Sequence, residues 1–240
     1  MCATKFEFEQ RFWVFGAIFF VGFFLYQIDH LNAAAALLGL LAPSVNLDSS
    51  QGGHLLRLIF AIGVLLVFFA AAYRTWATAY LRTEIVHDMS LHSESIVAAG
   101  PYRYSRNPLY FANLFMAAGI GLMTSRAGWF FIVIAIWLFD YRLILREEQV
   151  LTATQGQDYQ RYKNAVPRLW PAVSARVPPS SARAHWGQAF AGESMFWLFG
   201  LAMLAFTITL NGTVAMMVFA LGIVVYFVAV YVTKKAARRP

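Results

Sequence analysis

Apolar residues in this chain come in long unbroken stretches. They follow neither the i, i+3, i+4 spacing of a half-buried helix nor the alternation of a half-buried strand. Six stretches reach or approach the ~20 apolar residues that cross a bilayer, the shorter ones flanked by side chains able to snorkel. They are Phe12–Ile28, Leu55–Ala79, Leu109–Met123, Ala127–Leu145, Ser194–Leu210 and Thr213–Val232. Ala33–Ala42 is apolar but short, and would cap the first span or lie along the interface. The turns Thr124-Ser125-Arg126 and Asn211-Gly212 are so brief that 109–145 and 194–232 must each form a tight helical hairpin. Residues 146–193 are the only sizeable polar region. Their first half continues the fourth span as helix and stops near Pro167, because the residue before proline disfavours helix. Residues 172–183, rich in Pro, Ser and Ala, read as a linker. The expected fold is an all-α polytopic membrane bundle of about six transmembrane helices with a cofactor pocket on its cytoplasmic side. N-terminal helices and a cytoplasmic linker occupy 1–99, a motif-bearing core 100–171, a linker 172–193, and a C-terminal hairpin with a basic tail 194–240.

Composition agrees with a bilayer as solvent: 60% of residues are hydrophobic and 13% charged, against about a quarter charged in soluble domains, and the mean hydropathy is +0.57. Phe12 to Tyr26 has the length of a signal-peptide core, but Glu7 and Glu9 dilute the positive flank and Asp29-His30 separate it from Ala33–Ala36, which favours a retained span. The net charge of +7 belongs to segment ends, not to one patterned face, which excludes a nucleic-acid reading. With both termini cytoplasmic, the outer loops carry only Arg57 and Arg126, and the other 17 of 19 Lys/Arg lie toward the inner side. The lone Cys2 excludes an intramolecular disulfide or a cysteine metal cage. His87 and His92, five residues apart, do not share a helical face as an i, i+4 pair would, so no metal is expected.

Two polar clusters stand at the inner ends of one apolar hairpin. The first is Gly100-Pro101-Tyr102-Arg103-Tyr104-Ser105-Arg106-Asn107-Pro108-Leu109-Tyr110. Asn107-Pro108 suits a helix start, with asparagine capping and proline at the first position. The free N–H groups there, with Arg103 and Arg106, favour a carboxylate or other anionic group, and Tyr102, Tyr104 and Tyr110 would stack on a flat ring. The plainer account is an interfacial belt of Tyr and Arg. The second cluster runs Asp140-Tyr141-Arg142-Leu143-Ile144-Leu145-Arg146-Glu147-Glu148, with Asp140, Ile144, Glu147 and Glu148 on one side of a helix. Asp140 is the deepest, and ionisable groups within a span usually face a cavity. A self-neutralised helix end is the competing account, strongest for Arg146 and Glu147. Gly119-Ile120-Gly121 would admit a ligand or simply a packed neighbour.

Taken in order, Gly100-Pro101-Tyr102-Arg103-Tyr104-x-Arg106-x-Pro108-x-Tyr110, Glu147-Glu148-x-x-Leu151, Gly156-x-x-Tyr159-x-x-Tyr162 and Val166-Pro167 resemble the isoprenylcysteine carboxyl methyltransferase family and the related phospholipid methyltransferases. The likeness covers about residues 97–171. It implies a membrane enzyme using S-adenosylmethionine at the cytosolic face, held by Gly100, Pro101, Tyr102, Arg103, Tyr104, Arg106, Asn107, Pro108, Tyr110, Glu147 and Glu148, with Gly119 and Gly121 matching a Gly-x-Gly of the phospholipid branch. It also implies an arginine near the substrate carboxylate, for which Arg142 is the candidate and Arg146 stays open. Asn107 stands where the family usually has histidine, and the polar insert 172–193 also departs from the pattern, so the acceptor does not follow.

Methyl transfer from a sulfonium needs alignment and exclusion of water. On this reading Arg103, Tyr104 and Asn107 hold the cofactor's amino-acid end, and Glu147 or Glu148 its ribose or ammonium. Arg142 orients an acceptor carboxylate. An amine or phenol acceptor would instead need Glu148 or Asp140 as base. Two alternatives share part of the pattern: a membrane NADPH-dependent steroid or enone reductase, and an inactive scaffold of the same fold.

Overall fold

The computed structural model describes residues 2–88, 99–180 and 182–236, and their side chains except at 82–88 and 229–236. The elements are α1 (Lys5–Glu9), α2 (Arg11–Phe24), α3 (Ala33–Leu41), α4 (Ser50–Asp88), α5 (Pro108–Gly121), α6 (Arg126–Ala165), α7 (Trp186–Gly192), α8 (Ser194–Thr209) and α9 (Gly212–Ala236). Among the described residues there is no named strand, only an isolated bridge between Asn32 and Ser125. The chain is an all-α bundle. Within it, Ser50–Leu81 and Arg126–Ala165 are long and apolar enough to cross a membrane, and α7 with α8, bent by 60° at their junction, form a third candidate. Arg11–Gln27, Pro108–Gly121 and Gly212–Val228 are shorter apolar helices. At ~1.5 Å per residue the 14-residue α5 is about 21 Å long, less than the ~30 Å hydrocarbon core. Six full crossings are therefore not what helix length alone delivers.

Both expected hairpins are present. Residues 122–125 join α5 to α6, and Leu210 and Asn211 join α8 to α9, with Leu210 in the left-handed region at φ 50°. The α5–α6 turn is held from outside itself. Asn32 donates to the carbonyls of Leu122 and Thr124 while its Oδ1 caps the N–H groups of Ala34 and Ala35. Asp29 accepts from Ala127 N–H and pairs with Arg126, and these bonds hold its carboxyl below the ordinary carboxylate range. Thus α3, too short to span, rests against Ile59, Phe60 and Leu122.

Close helix approach relies on missing side chains. A Cβ on Gly119 would strike the Gly63 backbone across the α4–α5 contact, and one on Gly128 would strike the Gly22 carbonyl across α2–α6. One core, Ile18, Tyr110, Ala117, Ile132, Ile136, Phe139, Leu143 and Ile144, binds α2, α5 and α6. A second, Val64, Val67, Ala70, Ala112, Met116, Ile120 and Met203, binds α4, α5 and α8.

The helix expected to outrun the fourth span does so, to Ala165, with a break at Gly156 (φ 57°, ψ −126°). Past Val166 the described residues up to His185 lie outside any helix, and α7 then resumes helix within the 172–193 segment. The histidine pair at 87 and 92 and the last basic residues, 238 and 239, fall outside the described residues and side chains, as do the side chains of Lys234 and Lys235.

Candidate active site

Gly100 has φ +53°, and a Cβ there would run into the Tyr80 ring, so this position needs glycine. Buried Pro101 then starts a 3-10 turn over Gly100–Arg103. The stretch from Tyr102 to Asn107 is stitched to the chain near and beyond the end of α6. Arg106 N–H donates to Pro167 O, Ala172 N–H to Tyr104 O and Arg176 N–H to Arg103 O. Side chains add to this: Arg103 Nε to Val177 O, Ser105 Oγ to Leu169 O and Tyr162 OH to Tyr102 O. The break at Gly156 turns Tyr159, Tyr162 and Val166 back into one small core with Tyr102.

The stitching closes on a charge cluster. Arg106 Nη2 lies 3.0 Å from Glu148 Oε1, with both side chains almost fully buried (6% and 5% exposed). Arg168, 32% exposed, brings Nη2 to 3.0 Å from the other oxygen, Glu148 Oε2, and donates Nη1 to Tyr141 OH. Hydrogen bonding to Glu148 holds the Arg168 guanidinium above its ordinary pKa, so it stays charged. Two guanidiniums on one carboxylate leave the group with a positive excess. Arg106 Nη1 donates to Lys163 O, whereas its buried Nε has no hydrogen-bond partner among the described residues. Asn107 is the residue before the α5 start, as expected, but its side chain does not cap the helix: Nδ2 donates to Arg168 O instead. Pro108 occupies the first helical position.

The three tyrosines go to three places. Tyr102 packs with Tyr162, Tyr110 OH donates to Glu147 Oε1 at 2.7 Å, and Tyr104 lies 6.2 Å from the Trp76 ring. Tyr104 also lines a cleft of about 230 Å³ with Trp76, Tyr80, Gly100, Arg103 and Ser180. That is below the ~300–1,000 Å³ of typical ligand pockets, so it would take part of a cofactor rather than all of it.

Deeper along α6, Asp140 accepts from Asn113 Nδ2 at 3.1 Å. Asn113 Oδ1 accepts in turn from Arg74 Nη1 at 2.7 Å, and Arg74 pairs with Glu193 at 2.7 Å. Arg142 is occupied differently. Its Nη2 meets Glu7 Oε2 at 2.8 Å, its carbonyl accepts from Ala3 N–H, and Arg146 Nη1 donates to Ala3 O. Residues 3–9 therefore strap across α6. Thr4's backbone N–H, its hydroxyl and Arg142 hold the Glu7 carboxyl below its usual value.

The structure thus brings Arg106, Asn107, Glu148, Tyr110 and Glu147 to one end of the α5–α6 hairpin, with Gly100–Tyr104 beside them. It does not bring Gly119 and Gly121 there: they stand 11 and 13 positions past Pro108, about 16–20 Å along the axis. Gly119 meets Gly63 and Gly121 faces the Trp129 ring, which is packing. Arg168, Arg74, Asn113 and Glu193 were not among the expected site residues. Arg74 carried a readable signal, a charge inside an apolar stretch. Arg168 carried none beyond standing next to Val166-Pro167.

Residues 58–158, less than half of the chain, match the phospholipid methyltransferase family, a likeness that supports placement in the isoprenylcysteine carboxyl and phospholipid methyltransferase superfamily. The cobalt-zinc-cadmium resistance protein CzcN of Cupriavidus metallidurans is 25% identical over 53% of this chain and 56% of its own length. The nickel-cobalt-cadmium resistance protein NccN of Alcaligenes xylosoxydans xylosoxydans is 25% identical over 60% of this chain and 65% of its own. The chain thus spans less than two thirds of either relative. No solved structure matches it significantly.

Proposed function

We propose that the chain is an integral membrane methyltransferase that uses S-adenosylmethionine to methylate a lipidic or membrane-partitioned acceptor. The family match supports S-adenosylmethionine-dependent, membrane-associated methyl transfer in general terms, and the apolar helices of membrane length support the membrane context. The observation that carries the reading is the Arg106–Glu148–Arg168 cluster. It joins the Arg-x-Pro turn to the glutamate pair, and it keeps a positive excess and a buried Arg106 Nε without a hydrogen-bond partner among the described residues.

That donor set fits a ligand with a carboxylate, as the amino-acid end of the cofactor has. Arg103, Tyr104 and Asn107 would hold that end, with Arg106 and Arg168 supplying charge. Gly100, Pro101 and Tyr102 shape the wall, Pro108 and Tyr110 fix the start of α5, and Glu147 takes a ribose or ammonium donor. When bound, S-adenosylmethionine supplies a methyl group already activated as a sulfonium. Both oxygens of Glu148 already accept from guanidiniums, so its part is to hold the two arginines. Arg142, paired with Glu7, would orient an acceptor carboxylate only after that pair opens. In this reading the cluster end faces the cytoplasm, and the shorter helices complete six crossings by local bilayer thinning and snorkelling of their flanking side chains. The metal-resistance names of the two relatives extend it to a membrane product whose loss raises sensitivity to divalent metals, measurable as growth of a deletion strain.

The test is calorimetric titration of the purified full chain with S-adenosylhomocysteine and, separately, NADPH. Micromolar binding of the first is expected. Binding of NADPH alone moves the chain to the reductase class, and binding of neither leaves a scaffold.

A further inference from the structure

Between Asp158 and Glu193 the sequence carries Arg161, Lys163, Arg168, Arg176 and Arg183 and no acidic residue. Arg161 and Arg168 are paired with Asp158 and Glu148, while Arg176 stands exposed. The same stretch turns large apolar side chains outward: Trp170, Val173, Trp186 and Phe190 are all exposed, Val173 completely. A single exposed apolar residue needs no explanation. Aromatic and basic residues interleaved without an acid are the composition of a segment that meets an anionic lipid surface.

Both ends of the apolar set attach to α4 at one level. Trp170 packs edge-on against Phe111 at 5.5 Å, and Phe111 against Tyr73 at 5.4 Å. At the other end His185 N–H donates to Ala79 O, and Phe190 lies 5.7 Å from Trp197, whose Nε1 donates to Thr75 Oγ1. Tyr73 to Ala79 is about 9 Å of helix at ~1.5 Å per residue. Counted from Leu55, the first apolar residue of α4, the ~20 residues of a hydrocarbon crossing end near Arg74. The level of Tyr73 to Ala79 is therefore a head-group layer, where Trp and Tyr collect. The 60° bend between α7 and α8 tips α7 toward the plane of that layer. Trp186 and Phe190, four residues apart, share its exposed face, while Ala189 is buried.

We propose that Trp170, Val173, Trp186 and Phe190 dock in the head-group layer of the leaflet at the cluster end, with Arg176 on its anionic lipids. The expected cytosolic linker is then a membrane-surface segment. Its middle lines the cleft beside Arg103 and Tyr104 through Pro179, Ser180 and Ala182. The N–H groups of Ala172 and Arg176 bond the Tyr104 and Arg103 carbonyls. Anionic lipid therefore steadies this wall of the cleft without entering it. The inference rests on the membrane-spanning reading of α4 and α8, and not on the chemistry proposed for the site.

The experiment uses the full chain in nanodiscs of phosphatidylcholine, alone or mixed with phosphatidylglycerol. In a Cys2→Ser background, a fluorophore is placed by Val173→Cys or Phe190→Cys. Two references carry the same label: Ile62→Cys, exposed along the α4 span, and Gln155→Cys, exposed on α6 beyond its apolar part. Quenching is read with lipid spin-labelled near its head group and with aqueous iodide. Labels at 173 and 190 should be quenched by the lipid and shielded from iodide, more so with phosphatidylglycerol. Arg176→Gln should lower the docked-to-free ratio in anionic nanodiscs about fivefold, the contribution of one arginine near such a surface. It should leave the phosphatidylcholine value unchanged, since the bond to Arg103 is made by backbone. Iodide quenching as strong at 173 as at 155 overturns the proposal, as does equal lipid quenching in the two nanodiscs. Shielding from both quenchers puts a protein surface, such as a second copy, over the segment and overturns it too. Loss of lipid quenching at 62 as well retires the spanning reading; loss at 173 and 190 alone retires only this inference.

Discussion

Replacing Glu148 with glutamine removes one negative charge from between two guanidiniums and hardly changes volume. Glutamine offers a single acceptor oxygen and turns an NH₂ toward whichever arginine it does not serve. Arg106, 6% exposed, is then left charged without its carboxylate. Breaking a buried ion pair from one side costs about 3–5 kcal/mol. Arg168 is a third exposed, so water takes over most of its share, and its loss adds about 0–1 kcal/mol. The 2.8 Å bond from Arg106 to Lys163 O survives the change, which places the expected loss near the lower end, about 3 kcal/mol. Against a typical stability of about 5–15 kcal/mol that is a large fraction. The assay is unfolding in mixed micelles of rising dodecyl sulfate content, monitored by tryptophan fluorescence. A cycle with Arg106→Gln supplies the second leg, and the double variant should recover about 2 kcal/mol relative to additivity. A loss below about 1 kcal/mol in Glu148→Gln, or strict additivity in the cycle, would refute the claim that this carboxylate holds the cluster together.

Three further outcomes are expected. Gly156→Ala puts a side chain where φ is 57° and ψ −126° with no neighbour near the new Cβ, so the loss of about 1–3 kcal/mol is purely backbone. Hydrogen exchange at the amides of Arg106 and Ala172 should quicken with it, and unchanged exchange there counts against the fold-back account. Asn32→Ala removes two bonds to the α5–α6 turn and the cap of α3, for about 1–3 kcal/mol by thermal unfolding; an effect within about 0.5 kcal/mol would make the clamp ornamental. The Glu7 carboxyl is depressed in the folded state, so its contribution is complete above its ordinary value of 4.5 and is lost as pH falls through the lower folded value. Protection of Ala3 N–H, corrected for intrinsic exchange, should hold at pH 5 and fall only below about 4.5; a midpoint above that value would show that no depression exists.

Long-range order was legible where it was written locally. The hairpins followed from short turns, and the extension of α6 followed from polar helix-formers bounded by Pro167. Arg106 and Glu148 were both marked as site residues, but their direct pairing was not foreseen, because ion pairing depends on how the chain after α6 returns. For the glycines the sequence leaves a ligand and a packed neighbour both open. Gly119 and Gly121 satisfy a motif by spacing, yet their position along α5 commits them to helix contact. Arg142 shows the same limit from the other side, since its partner Glu7 lies 135 residues away and no local pattern couples them.

The clamp on the α5–α6 turn has a consequence for how the chain comes into being. Asn32 is 90 residues ahead of the Leu122 carbonyl it holds. At about 5–20 residues per second of synthesis, Asn32 waits roughly 5–20 s before its partner emerges. Until then the Asn32 NH₂ group lacks the two carbonyls it will serve, and the later hairpin arrives at a template already in place. Assembly therefore has an obligatory order, with the N-terminal segment as resident and the motif-bearing hairpin as newcomer.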